Sequence, residues 1–153
     1  MREIVGAAPT CFFACGLAEA PFHLCPMHAQ EVDGNGCIWF FSGADSMHNT
    51  ILRGDPRVEL MFCNEGRHEY LAVYGRATVG VDHDKIDALW GPMVKAWFPG
   101  GKTDPNLTVI RVEPEKVHYW DTRDSKPVAL AKVLFGSVTG RSLEVGVEGD
   151  LDP

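Results

Sequence analysis

Tyr70-Leu71-Ala72-Val73-Tyr74-Gly75-Arg76-Ala77-Thr78-Val79-Gly80-Val81 places Leu71, Val73, Ala77, Val79 and Val81 on one face and Tyr70, Tyr74, Arg76 and Thr78 on the other. This period of two predicts a long half-buried strand. Toward the N-terminus, Val58 to Cys63, Cys37-Ile38-Trp39-Phe40-Phe41, Pro21 to Val32 and Cys11-Phe12-Phe13-Ala14-Cys15 read as four further strands. Asp33-Gly34-Asn35-Gly36 supplies residues that accept positive φ and predicts a hairpin between two of them. Ser46 is suited to cap a short helix from Met47 to Arg53, ended by Asp55-Pro56.

Beyond the long strand, Asp82 opens a helix whose Ile86, Leu89, Trp90, Met93, Val94 and Trp97 form one apolar stripe, kinked or divided at Pro92. Leu107 to Val112 and Val117 to Trp120 are expected as two last strands split at Glu113-Pro114, and Pro127 to Phe135 as a final helix stopped by Gly136. Arg141 to Pro153 holds four acids against one arginine and is expected to be loosely held. Short-spaced strands interrupted by two helices, rather than alternating with them, indicate a mainly β domain: an antiparallel barrel with peripheral α-helices. Three parts are expected: a short N-terminal segment over 1–9, the barrel over 10–138 and an acidic tail over 139–153.

The chain has 153 residues, and 21 acids against 14 bases give a formal charge of -7. That excess opposes binding to nucleic acid or to an anionic membrane. No apolar run approaches the ~20 residues of a bilayer span. The five cysteines are odd in number and form no Cys-x-x-Cys pair, which points to a reducing, cytoplasmic location. Arg2, Phe12-Phe13 and Ala18-Glu19-Ala20 imitate a secretory leader, but Glu3 and Pro9-Thr10 spoil the pattern and favour a buried first strand.

No zinc motif is evident, because Cys11 and Cys15 would stand about 13 Å apart along one strand face. His23 and Cys25 share a face, so a cysteine nucleophile with a histidine base is conceivable beside the alternative of a small buried hydrophobe. The stripe of Trp90, Met93 and Trp97 suits either plain core or one wall of an aromatic cofactor site.

The segment from Asp84 to Gly101, with Leu89-Trp90-Gly91-Pro92-Met93 and Lys95-Ala96-Trp97-Phe98-Pro99-Gly100-Gly101, resembles the general stress protein class of the pyridoxamine 5'-phosphate oxidase-like, FMN-binding split barrels. The resemblance continues through Ile38-Trp39-Phe40-Phe41-Ser42, Asp55-Pro56-Arg57-Val58, Gly75-Arg76-Ala77, Ile110-Arg111-Val112 and Tyr119-Trp120-Asp121, covering roughly 10 to 135. It implies a six-stranded antiparallel split barrel, a homodimer, and FMN in a groove at the subunit interface serving a small redox partner. Relatives usually carry a helix ahead of the first strand, here shortened or absent. By the resemblance, Trp97 would approach the flavin from the partner subunit, while Cys25, Pro26, Met27, Phe41, Ser42, Ser46 and His48 would form the other wall.

Departures from the family pattern cluster at that wall. Cys25 stands where relatives place an arginine on the FMN phosphate, His48 stands at a usual lysine, and Ala72 and Tyr74 stand where serines are common. Two functions therefore remain in view: a flavin oxidoreductase or redox-linked stress protein, and a non-enzymatic barrel that has lost FMN or binds a less anionic ligand.

Overall fold

A computed structural model of the chain describes residues 1–121 and 147–151. A short helix, α1 (Arg2–Ala7), precedes β1 (Thr10–Cys15), β2 (His23–Val32) and β3 (Ile38–Gly43). Helix α2 (Met47–Gly54) leads to β4 (Arg57–Asn64) and β5 (Glu69–Gly80), then α3 (His83–Leu89), α4 (Pro92–Trp97), β6 (Leu107–Asp121) and β7 (Val147–Leu151). The strands run in the order β3-β2-β1-β4-β5-β6-β7 with every pairing antiparallel. A further pairing of β3 with β6 closes the first six into a barrel.

Alternation along the strands sorts side chains into two cores. Phe13, Ile38, Phe40, Leu60, Leu71, Val73, Ile110 and Val112 fill the barrel, all fully buried or nearly so. Cys37 just ahead of β3, with Trp39, Leu107 and Val109 from the opposite faces of β3 and β6, packs outside the barrel against Ile86, Val94 and Phe98 of the α3–α4 region. The apolar run Cys37 to Phe41 is thus explained by a strand covered on both faces.

The local signals map onto geometry. Asp33 Oδ1 accepts from the Asn35 and Cys37 amides, Asp33 Oδ2 accepts from Trp39 Nε1 at 2.8 Å, and Gly36 takes φ +83, which completes the hairpin. Ser46 caps α2 by accepting from Asn49 N at 3.3 Å, and Asp82 caps α3 by accepting from Lys85 N at 2.9 Å. Pro92 divides the apolar helix in two, sitting at the first turn of α4, where its missing N–H leaves no gap. Only part of the expected stripe is core: Ile86 and Val94 are buried, whereas Met93 and Trp97 are 62% and 79% exposed.

Three expectations need correction. Glu113-Pro114 does not end a strand, because β6 runs unbroken from Leu107 to Asp121 and absorbs the proline at a bulge where the register against β5 shifts between Tyr74 and Gly75. Val81 lies past the end of β5 and is exposed. Within the acidic tail, Val147 to Leu151 pairs with Val117 to Asp121 as β7, and Asp150 reaches His118 Nδ1 at 2.7 Å, so the backbone ladder holds this stretch despite its charge. The helix expected over 127–135 lies outside the described residues.

Gly75 makes the bulge possible. A Cβ at this position would overlap the Glu113 carbonyl and touch the Pro114 Cα, both backbone and unable to swing aside. Gly75→Ala is expected to cost about 1–3 kcal/mol, read as a fall in the urea midpoint.

Candidate functional site

Between the barrel wall and α4 lies a groove of about 450 Å³. Pro26, Met27, His28 and Gln30 of β2, Phe41, Ser42 and Gly43 of β3, and His48 of α2 form one side, with Met93, Val94, Trp97 and Phe98 opposite. The lining is mainly apolar and the volume lies in the range of small-molecule sites. Phe41 is steadied by an edge-to-face contact with Trp90, ring centroids 6.3 Å apart.

Of the residues singled out from the sequence, Pro26, Met27, Phe41, Ser42, His48 and Trp97 meet at this groove. Ser46 does not line it, and its hydroxyl caps the helix that presents His48. Cys25 alternates to the other face of β2 from Pro26 and packs against the barrel core, its sulfur 3.8 Å from His48 Nδ1. Tyr74 pairs with Glu59 and Lys116 and is not part of this groove. Met93 was anticipated only as part of the stripe with Trp90 and Trp97, and Val94, Phe98, His28 and Gln30 were not anticipated. Met93, Val94 and Phe98 share the helical segment of Trp97, so the groove could have been extended along it from sequence.

Ser42 is at the groove but already engaged. Its hydroxyl donates to Asn49 Oδ1 at 3.0 Å and lies 2.8 Å from Thr108 Oγ1, while Asn49 Nδ2 donates to Gly43 O at 2.8 Å and to Thr108 Oγ1 at 2.9 Å. Thr108 Oγ1 in turn donates to Ser42 O. Asn49 is fully buried, so this network ties α2 to β3 and β6 and fixes the height at which His48 enters the groove.

The electrostatics beside His48 run against a cation. Burial lowers the His48 imidazole from its usual range, and neighbouring His23 lowers it further. Burial also pushes the Cys25 thiol up. Arg57 is held by Asp55 in a two-point pair, and Arg53 donates to Ala44 O. His23, stacked near His48 with ring centroids 6.2 Å apart, completes a set of three potential ligating side chains at this corner. Strand spacing alone finds only the His23 and Cys25 half of it.

A closed six-stranded antiparallel barrel with an apolar groove between its wall and an external helix defines a split-barrel protein. The family model described as pyridoxamine 5'-phosphate oxidase like matches residues 1–144, and the chain belongs to that family. Among curated relatives, it is similar to protein bli-3 of Neurospora crassa, 27% identical over 79% of this chain and 62% of the relative. It is likewise similar to general stress protein 26 of Bacillus subtilis, 28% identical over 52% of this chain and 58% of the relative. The chain thus spans about three fifths of the length of these two proteins. Among solved structures, the general stress FMN/FAD binding protein of Xanthomonas citri superposes with a TM-score of 0.70 at 30% identity, covering 80% of this chain and 87% of that one. A general stress protein 26 from Jannaschia superposes at 0.78 with 17% identity over 99% and 94%, which supports the fold.

Removing the amide of Asn49 takes one hydrogen-bond partner each from the Gly43 carbonyl and the buried Ser42 and Thr108 hydroxyls. Asn49→Ala is expected to destabilise the protein by about 1–3 kcal/mol, measured by chemical denaturation.

Proposed function

We propose that the groove binds the flavin nucleotide FMN and that the protein is a flavin-dependent oxidoreductase of the general stress type. We further propose that it works in the cytoplasm as a homodimer with the groove at the subunit interface. The observation that carries the flavin reading is the groove itself: about 450 Å³, apolar, walled by Phe41, Met27 and Trp97, in a scaffold shared with the FMN/FAD-binding Xanthomonas citri relative. When bound, FMN supplies the hydride or electron transfer, and the protein's share is position and exclusion of water. Phe41, Met27 and Pro26 offer apolar surface to the ring, and Val94 and Phe98 of the helical segment also line the groove.

The fit is unequal along the groove. The apolar walls suit an isoalloxazine, but among the described residues the end at His48 offers a phosphate little positive charge, because burial disfavours the charged form of that imidazole. This favours weak FMN binding, and it is also what supports a second reading, a non-enzymatic barrel that takes a less anionic ligand.

Trp97 and Met93 are exposed at the groove's rim, and Phe12, Leu24 and Met61 stand out from the barrel's outer face at 56%, 48% and 46% exposure. Phe12 pairs with Pro26 on one side and Met61 on the other, so these residues form a continuous apolar patch of the kind that a partner subunit covers. All five cysteines are free thiols, in keeping with a reducing compartment.

Titration of purified protein with FMN and with riboflavin, followed by flavin fluorescence, is expected to show one site per chain. Protein that takes up neither overturns the flavin reading, and riboflavin binding as tightly as FMN selects the second one. His48→Lys, which restores one charge-assisted contact, is expected to tighten FMN roughly 10- to 10²-fold and leave riboflavin unchanged. Sedimentation at micromolar concentration is expected to show a dimer that Phe12→Glu dissociates, and a strictly monomeric unmodified protein would exclude the shared groove.

A further inference from the structure

Behind the groove wall, His23 and Cys25 of β2 meet His48 of α2, with one ligating atom from each lying within 4.8 Å of the others. We infer that these three side chains form a binding site for a zinc-class divalent metal ion, with two imidazoles and one thiolate as ligands.

The donor set is the first argument. Two imidazole nitrogens and a thiolate suit Zn²⁺ or a neighbouring transition ion, and three protein ligands with a fourth position open to water are a recurrent zinc arrangement. Geometry is the second. Cys25 Sγ lies 3.8 Å from His48 Nδ1. Tetrahedral zinc with bonds of about 2.3 Å to sulfur and 2.0–2.1 Å to nitrogen separates such a pair by about 3.6 Å. All three ligating atoms lie within 4.8 Å of one another, so small side-chain rotations would bring them onto one ion.

Unmet bonding is the third argument. Nε2 of His23 and Nε2 of His48 are both buried and have no hydrogen-bond partner among the described residues. Buried ring nitrogens without partners are costly; an ion held through Nδ1 of His48 leaves the proton on its Nε2, so the lone pair that coordination would satisfy directly is that of His23 Nε2. Each of the three residues is only half-buried overall, so an ion can enter from the solvent side.

A cysteine nucleophile activated by His48 is the competing use of this pair. A catalytic base needs a group that orients its ring, and His48 Nε2 has no hydrogen-bond partner among the described residues to do so. Neutral imidazoles are the form that binds metal. The thiol requires only loss of its proton to solvent as the ion arrives, so binding releases one proton per ion.

The test uses untagged, reduced protein treated with chelator and then freed of it. Titration with Co²⁺ is expected to give one ion per chain, with a near-ultraviolet thiolate-to-metal band and visible absorption of tetrahedral intensity. Zn²⁺ is expected to displace it and to raise the thermal midpoint. Cys25→Ser should abolish the thiolate band. It and His23→Asn should each weaken Zn²⁺ by more than the roughly 10- to 100-fold that loss of an outer-shell partner costs. Cys63→Ser, which alters an exposed cysteine elsewhere, should change neither. Absence of stoichiometric binding, or a thiolate band that survives in Cys25→Ser, overturns the inference. Should Cys25→Ser fail to fold, the His23→Asn titration decides alone. Neither variant touches a groove-lining residue and the readouts need no flavin, so this site and the flavin reading stand or fall separately.

Discussion

The pairing of β3 with β6 is the interaction on which the rest of the molecule rests. β6 is the longest strand among the described residues, and it can serve two neighbours because Leu107 to Val112 pairs with β3 while Val109 to Asp121 runs along β5. Closure by this seam pairs the edge of β3 with Leu107 to Val112 of β6 and encloses Phe13, Phe40 and Ile110 in a buried interior. It also gives β3 and β6 a second covered face, on which α3 and α4 settle through Trp39, Ile86 and Val94. The groove exists because α4 is held against that outer face with Trp97 and Met93 left over at its end.

A second constraint sets where chemistry can occur. The Ser42, Asn49 and Thr108 network pins α2 to the seam, so His48 projects both toward the groove and toward β2. One side chain therefore belongs to two environments, an apolar trough on one side and a corner of sulfur and imidazole on the other. Where the family resemblance leads one to expect two cations, this chain carries Cys25 and His48. Their side chains meet that of His23, which β2 carries two residues from Cys25.

Much of the architecture was legible because it depends on local rules. The alternation of Tyr70 to Gly80 reports one buried face, Asp33 to Gly36 carries its own turn chemistry, and Ser46, Asp82 and Pro92 mark helix starts by the hydrogen bonds they make or omit. The misreadings have non-local causes. Pro114 looked like a strand break because its tolerance depends on Gly75, a residue on another strand whose missing side chain admits the bulge. Met93 and Trp97 share the period of Ile86 and Val94, yet the barrel covers only part of that face. At the site, the groove's β-wall and Trp97 followed from family resemblance, whereas the meeting of His23 with His48 depends on how the barrel folds α2 back over β2.

The length of β6 has one more consequence. Past Val112 it outruns β3, so its far half, Val117 to Asp121, would present a bare row of amides and carbonyls were it not for β7. Val147 to Leu151 covers that row, and the acidic Asp150 stands on the outermost strand. The segment thus acts as a guard on a sticky margin: it occupies the hydrogen-bonding template that another chain would otherwise extend and puts charge where the next strand would have to lie.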